Sequence, residues 1–258
     1  MKDLLGLPLL PLNASKHGDV IDGLIEYTHW LMIALFVGWG IYFVYVLFKF
    51  RASNNPKANY QGAGGKYSKF AEIGVILAEV ILLFGFSIPL WSSISNEFPE
   101  GKDVLTVRVV AEQYAWSFHY PGPDGVFGKR SPSLIDLQSN PLGLDKTDPN
   151  AKDDIVTKLW KMPVNKPVIA HVTSKDVIHS LGIPAFRVKQ DAIPGDSTPV
   201  TFVPTKIGKY LIACSQLCGV GHSTMRGFIQ VLSEDDYQQW YTAEAEAAKA
   251  SAEQGDAW

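Results

Sequence analysis

The chain has 258 residues, with 23 Lys and Arg against 26 Asp and Glu and a formal net charge of −3. That mildly acidic balance excludes a nucleic-acid backbone as partner, because binding one needs a basic surface. Hydrophobic residues make up 47% of the chain but crowd toward its N-terminus, so the length divides into a membrane part and a β-rich part.

Residues 1–24 are apolar in patches (LLGLPLLPL) but broken by prolines, and they lack a strongly basic start. They read as an exported N-terminal tail and not as a signal peptide. Tyr27 to Phe48 then runs 22 residues without a formal charge, and Ile73 to Trp91 runs 19 residues whose only charge is Glu79. Each is long enough to cross a hydrocarbon core of about 30 Å, which takes about 20 helical residues. A transmembrane hairpin is therefore expected over 25–92. Its connecting loop carries Lys49, Arg51, Lys57, Lys66 and Lys69 and no acid. Basic loops stay in the cytoplasm, which puts both termini and everything after Trp91 on the outer side of a bacterial inner membrane. Glu72, at the cytoplasmic entrance of the second span, can reach water. Glu79 lies about two turns deeper, where a carboxyl is costly unless it faces protein, so it is expected to pack, protonated, against a polar group of a neighbouring membrane protein. Pro89 is tolerable where the helix is ending.

Beyond Trp91 the pattern changes to short β-branched and aromatic runs: Val104 to Val110, Ile155 to Trp160, Pro167 to Thr173, Thr198 to Val203, Lys209 to Ala213 and Gly227 to Leu232. Strands of this length with turn residues between them predict a Greek-key β-sandwich or barrel over 101–233. Pro121 to Asp154 is rich in Gly, Pro, Asp, Asn and Ser and reads as a long surface excursion. An acidic start and an alanine-rich body predict a C-terminal helix within 234–258.

Cys214 to Met225 (CSQLCGVGHSTM) holds the chain's only two cysteines, then a histidine and a methionine. Thiolate, imidazole and thioether together suit a soft ion such as copper. Two other readings stay open, a Cys214–Cys218 disulfide and a zinc site, although methionine is a poor zinc ligand. Gly219, Gly221 and Gly227 allow tight turns where ligands converge. His179, in DVIHSLGIPAF, follows the strand that ends at Thr173 and is expected on a neighbouring loop at the same end. His17, His29, His119 and His171 are read as structural.

CSQLCGVGHSTM resembles the CuA signature of subunit II of the haem–copper cytochrome c oxidases. DVIHS followed by KQDAIPG is similar to that family's upstream histidine segment. Two N-terminal spans before a cupredoxin domain match as well, so the resemblance covers about Glu26 to Leu232. It implies an all-β cupredoxin-like domain outside the membrane and a dinuclear copper centre. Cys214 and Cys218 would bridge the ions, His179 and His222 would bind one each, and Met225 and the Gln216 backbone carbonyl would be weak axial ligands. It further implies the electron-entry subunit of a proton-translocating terminal oxidase. Such a subunit takes electrons from a cytochrome c and passes them to haem in subunit I, where oxygen is reduced. Tyr114 and Trp116 would serve electron entry, Asp176 donor docking, and Glu72 the entrance of a proton path.

Departures from the family pattern matter too. Gln216 stands where the family has a glutamate that helps bind magnesium at the subunit I interface, which puts that site in question. Tyr114 stands in place of a tryptophan. His119 replaces a common acidic residue, which suggests a different donor, such as a c-type cytochrome domain held in a supercomplex. No Cys-x-x-Cys-His occurs, so no c-type haem is expected in this chain. The alternative function is a membrane-anchored copper-delivery or redox-sensing cupredoxin without an oxidase partner; a quinol oxidase subunit is disfavoured because the copper ligands are all present.

Overall fold

The apolar run beginning at Tyr27 is helical in the computed structural model, and the helix is longer than the run: α1 spans Gly18–Lys49. The structure describes residues 10–57, 60, 65–95, 98–101, 103–136, 138–145 and 147–254. Residues 1–9 of the expected tail, 58–59 and 61–64 of the basic loop, and the last four residues lie outside that set. Asp19 in the first turn of α1 and Lys49 in its last complement the helix dipole. The polar side chains of its first half are tied to its own backbone: Thr28 Oγ1 donates to Leu24 O (2.8 Å) and His29 Nδ1 pairs with Ile25 O (2.7 Å).

The second apolar run forms α2 (Lys66–Val80), a π-helical turn (Ile81–Ser87) and α3 (Ile88–Ser95). Pro89 explains the wide turn. It has no N–H to give, and Ile88 N–H instead closes a longer ring to Leu83 O. Both helical stretches, Gly18–Lys49 and Lys66–Ser93, are long and apolar enough to cross a membrane, and their apolar windows are wholly uncovered by the rest of the chain.

Among the described residues, the β unit holds ten strands in two five-stranded sheets. The first has the order β3-β2-β1-β5-β8, with β1 Leu105–Glu112, β2 Ala115–Tyr120, β3 Ile155–Thr157, β5 Val168–Ser174 and β8 Thr198–Phe202. The second has the order β4-β10-β9-β6-β7, with β4 Leu159–Pro163, β6 His179–Ile183, β7 Val188–Ala192, β9 Gly208–Cys214 and β10 Arg226–Leu232. β1/β5 and β4/β10 are parallel, and the other pairs are antiparallel. Side chains alternate along the strands. Val168, Ala170 and Val172 of β5 face Ile212 of β9 and Ile229 and Val231 of β10 across a core filled by Trp116, Phe118, Trp160, Phe186 and Phe202. α4 (Glu234–Gln254) closes one side, with Trp240 set edge-on to Tyr120 and Lys161 over its ring.

Three features differ from the sequence expectation. The run Ile155 to Trp160 is two strands in different sheets, because the chain crosses between layers at Lys158. The expected 1–24 tail divides: Pro11–Gly18 belongs to the β unit, where Ala14 N–H donates to Ala185 O, Thr205 N–H to Ala14 O (each 2.8 Å) and Ser15 Oγ to Phe186 O (2.8 Å). The excursion 121–154 is a folded cover and not a loose surface loop. It buries the outer face of β2, so that His119 is fully buried, with Nε2 2.6 Å from Asp154 Oδ2. Gly128 N–H donates to the same oxygen (2.9 Å), Phe127 meets the His119 ring edge-on, and Arg108 stacks over Phe127.

Burial drives the His119 pKa down against the pull of Asp154; His171 and His17 are also lowered, chiefly by burial. The unfolded chain takes up protons near pH 6.5 that the folded chain refuses, so stability is complete above that pH and falls as pH drops below it. Denaturant melts of the detergent-solubilised chain between pH 7 and 5 should therefore show falling stability, by up to about 1.4 kcal/mol per pH unit for each histidine involved. His119→Gln should flatten that slope.

Candidate metal centre

The residues expected to bind metal lie at one end of the sandwich. Cys214 is the last residue of β9 and Met225 immediately precedes β10, and those strands are paired, so the loop between them closes on itself. Cys214 N–H donates to Met225 O (3.2 Å), which fixes the loop's two ends. His179 is the first residue of β6, which pairs with β9 through Leu181 and Cys214. It therefore sits on a strand and not on the loop expected from sequence.

The donor atoms converge. Cys214 Sγ lies 3.8 Å from Cys218 Sγ, 3.9 Å from His179 Nδ1 and 3.1 Å from the Gln216 backbone oxygen. Cys218 Sγ lies 3.6 Å from His222 Nδ1 and 3.8 Å from Met225 Sδ. Both cysteines are free and buried, so they do not form a disulfide. The His179, Cys214 and Cys218 donor atoms all fall within 4.8 Å of one another. Two thiols, two imidazoles, a thioether and a carbonyl exceed the four donors of a structural zinc site, and their softness fits copper.

Partners behind the ligands set their orientation. His179 Nε2–H donates to Asp176 Oδ1 (2.8 Å), which leaves Nδ1 as the atom turned to the sulfurs. Asp176 also accepts from Gln113 N–H on Oδ2 (2.7 Å) and from Val177 N–H on Oδ1 (2.7 Å). Burial opposes its charge, but these three donors outweigh it and hold the carboxyl below its usual range. Gln113 Nε2 donates to Cys218 O (2.6 Å), a contact with no sequence signal beyond the residue's place beside Tyr114. Burial, then the neighbouring Cys214 thiol, push Cys218 up to about 11.

Tyr114 is half-buried over the loop. A Cβ at Gly219 (φ +134°) would meet its hydroxyl at 2.5 Å, and one at Gly221 would meet its ring at 2.4 Å. The two glycines thus admit the tyrosine as well as the turn. Trp116 is buried and edge-on to His179, with ring centroids 6.3 Å apart. His119, which the resemblance put at a docking position, takes no part in that surface because it is sealed beneath the excursion. Beside Gln113, Glu112 bridges Lys158 (3.0 Å) and Lys175; burial opposes the charge of Glu112, but the lysines win and lower its pKa. Glu72 is far along the chain in α2, in the helical unit, where Ser68 Oγ donates to it (3.2 Å).

Fold and site together define a membrane-anchored, copper-binding β-sandwich of the cupredoxin type. The family model for the periplasmic domain of cytochrome c oxidase subunit II matches residues 105–232. Alternative cytochrome c oxidase subunit 2 of Bradyrhizobium diazoefficiens is 30% identical over 222 residues, spanning 85% of this chain and 78% of that protein. Cytochrome c oxidase subunit 2 of Cereibacter sphaeroides is 28% identical over 241 residues, spanning 82% and 74% respectively. The crystal structure of the periplasmic domain of subunit II of the Bradyrhizobium japonicum oxidase is 28% identical over 58% of this chain and 99% of that one, with a TM-score of 0.43. The chain belongs to the cytochrome c oxidase subunit II family, whose members are subunits of haem–copper terminal oxidases.

Removing the carboxylate that orients His179 should weaken the metal without removing a ligand. Asp176→Ala is expected to lower copper affinity by about 10- to 100-fold in chelator competition. Copper must also displace the Cys218 proton, so apparent affinity should rise with pH, by about tenfold per unit for that proton.

Proposed function

We propose that this chain is the electron-entry subunit of its oxidase, holding a dinuclear CuA centre. Cys214 and Cys218 would hold both ions through their thiolates, His179 and His222 would each supply an imidazole, and Met225 and the Gln216 carbonyl would be the weaker donors. The observation that carries the reading is the convergence of two imidazoles, a thioether and a backbone carbonyl on two free thiols 3.8 Å apart. Two copper ions sharing one electron through thiolate bridges would exchange that electron with little change in bond length. The chain's part is to keep the donors in place, with His179 held by Asp176 and the Cys218 backbone held by Gln113.

Electrons enter from a c-type cytochrome, soluble or held within a supercomplex, and leave toward haem in subunit I, where oxygen is reduced. Tyr114 is the better entry group of the two aromatics, since it lies partly open above the ligand loop while Trp116 is buried beside His179. Val220, 99% exposed between the two glycines that touch Tyr114, adds apolar surface at the same place. The Asp176 oxygens already accept three hydrogen bonds, so its part in this reading is to position His179 and not to dock the donor. Gln216 offers a neutral amide, a poor ligand for magnesium, and the reading assigns no magnesium to it. Glu72 marks the entrance of the proton path.

The topology that goes with this function has the basic loop in the cytoplasm and the β domain outside. Its support is the charge of the loop between the spans, which carries Lys49, Arg51, Lys57, Lys66 and Lys69 and no acid.

Visible and EPR spectra of the copper-loaded full chain should show a purple, valence-delocalised centre; a single-ion signal, or no copper after thiol reduction, would refute it. Cys218→Ser should abolish delocalisation. Met225→Leu should keep the copper and shift its reduction potential, whereas complete loss of metal would refute the weak axial role.

A further inference from the structure

On the outer face of the first sheet, under the excursion 121–154, lies a group of charged and polar side chains that the metal centre does not use. The strand register lines up three of them. Arg108 of β1 stands opposite His119 of β2 on one side and opposite His171 of β5 on the other, so all three leave the sheet on the same face. The excursion brings two more. Arg130, whose backbone bridges to Leu144, reaches in from above, and Asp154 lies at the excursion's end beside His119.

The charges of this group do not cancel. Asp154 is fully buried, and its Oδ2 is already taken by His119 Nε2 (2.6 Å) and by Gly128 N–H (2.9 Å), while its Oδ1 meets no donor among the described residues. Neither arginine touches it. Among the described residues, the side chains of Arg108 and Arg130 have no hydrogen-bond acceptor and no ion-pair contact. Arg108 is held instead by the Phe127 ring, whose centroid lies 4.1 Å below its guanidinium. It is half-buried, and Arg130 is the more open of the two. Burial, then the repulsion of Arg130, push Arg108 down to about 10 against the pull of Asp154. His171 is lowered by burial and then by Arg108, so it adds no charge at pH 7. Two guanidiniums near enough to repel each other therefore share one carboxylate that neither reaches, and a half-buried cation without an acceptor is costly.

We propose that Arg108 and Arg130 form a binding site for a phosphate group, with Phe127 fixing the plane of Arg108 and Arg130 at the open edge. The geometry selects the ligand class. A guanidinium is a planar fork that takes two oxygens at once, so a single carboxylate is used up by one arginine, whereas a phosphate has oxygens enough for both. Its charge at pH 7 offsets the positive excess left by Asp154. The bound group accepts from β1 and from the excursion together, and so fastens the cover to the sheet. Inorganic phosphate and the phosphomonoester of a lipid headgroup share this chemistry.

The test uses the full chain in phosphate-free detergent. Calorimetric titration with inorganic phosphate should show one saturable site with a Kd at or below about 1 mM, and chloride at equal ionic strength should show none. Arg130→Gln should weaken binding by about tenfold or more, the loss expected when a charge-assisted hydrogen bond is removed. Arg108→Lys keeps the charge and loses the fork, and should weaken binding as well. Lys129→Gln removes the same charge one residue away and should leave binding unchanged. Phosphate should also slow amide hydrogen exchange over 126–131 in the unsubstituted chain and not in Arg130→Gln, with circular dichroism reporting that each variant is folded. The same exchange measurement in phosphatidylcholine nanodiscs with and without phosphatidic acid separates the two sources: slowing by phosphatidic acid alone, lost in Arg130→Gln, assigns the site to a lipid headgroup. No binding from either source, or equal weakening by Lys129→Gln and Arg130→Gln, would overturn the proposal.

Discussion

The carboxylate of Asp176 joins two segments that are 63 residues apart and turns one histidine toward two sulfurs. It accepts from His179 Nε2 on one oxygen and from the Gln113 backbone on the other, so the turn between β1 and β2 and the approach to β6 are held at a fixed separation. Gln113 then reaches on to the carbonyl of Cys218. The ligand loop, the histidine strand and the aromatic turn form one hydrogen-bonded set, and a change at any of them shifts the others. Because the imidazole has only two ring nitrogens, engaging Nε2 decides which atom a metal receives.

Preorganisation of this kind separates the site from metal centres whose ligands gather only when the ion arrives. Cys214 and His179 are anchored by paired strands, and the loop that carries Cys218 is closed at its ends by the bond from Cys214 N–H to Met225 O. Cys214, Cys218 and Met225 belong to the same buried cluster as the aromatic and aliphatic side chains of the β domain, so the packing of the fold itself holds the sulfurs in place.

What the sequence revealed follows from how local each signal is. Cys214, Cys218, His222 and Met225 lie within twelve residues, and their donor types alone suggest copper. His179 was found by its spacing and by resemblance, yet its strand was missed. HSLGI is buried on both faces and shows no alternation, and VKQDA of β7 has only one β-branched residue. AWSFHY of β2 is hidden for a related reason: the excursion covers its outer face, which turns Ser117 and His119 inward and removes the polar stripe that marks a half-exposed strand. Lys158 could not announce itself as the crossing point between sheets, since the residues on either side of it have the same composition. His119 shows where resemblance misleads, because the excursion 121–154 folds over that position and seals it.

The two membrane spans obey a different logic from the domain they carry. In water, α1 and α2 would have to bury their apolar sides against each other or against the sandwich, but a bilayer removes that need and leaves polar groups as the discriminating feature. α1 satisfies its own polar side chains and can face lipid. α2 carries two carboxyls on one side and a π-helical turn just past the second, so its sides are unequal. The same electrostatic rule operates at both ends of the protein. At the copper end Asp176 is tolerated in a partly buried place because three donors meet it, and in the membrane Glu79 is tolerable only where another chain does the same.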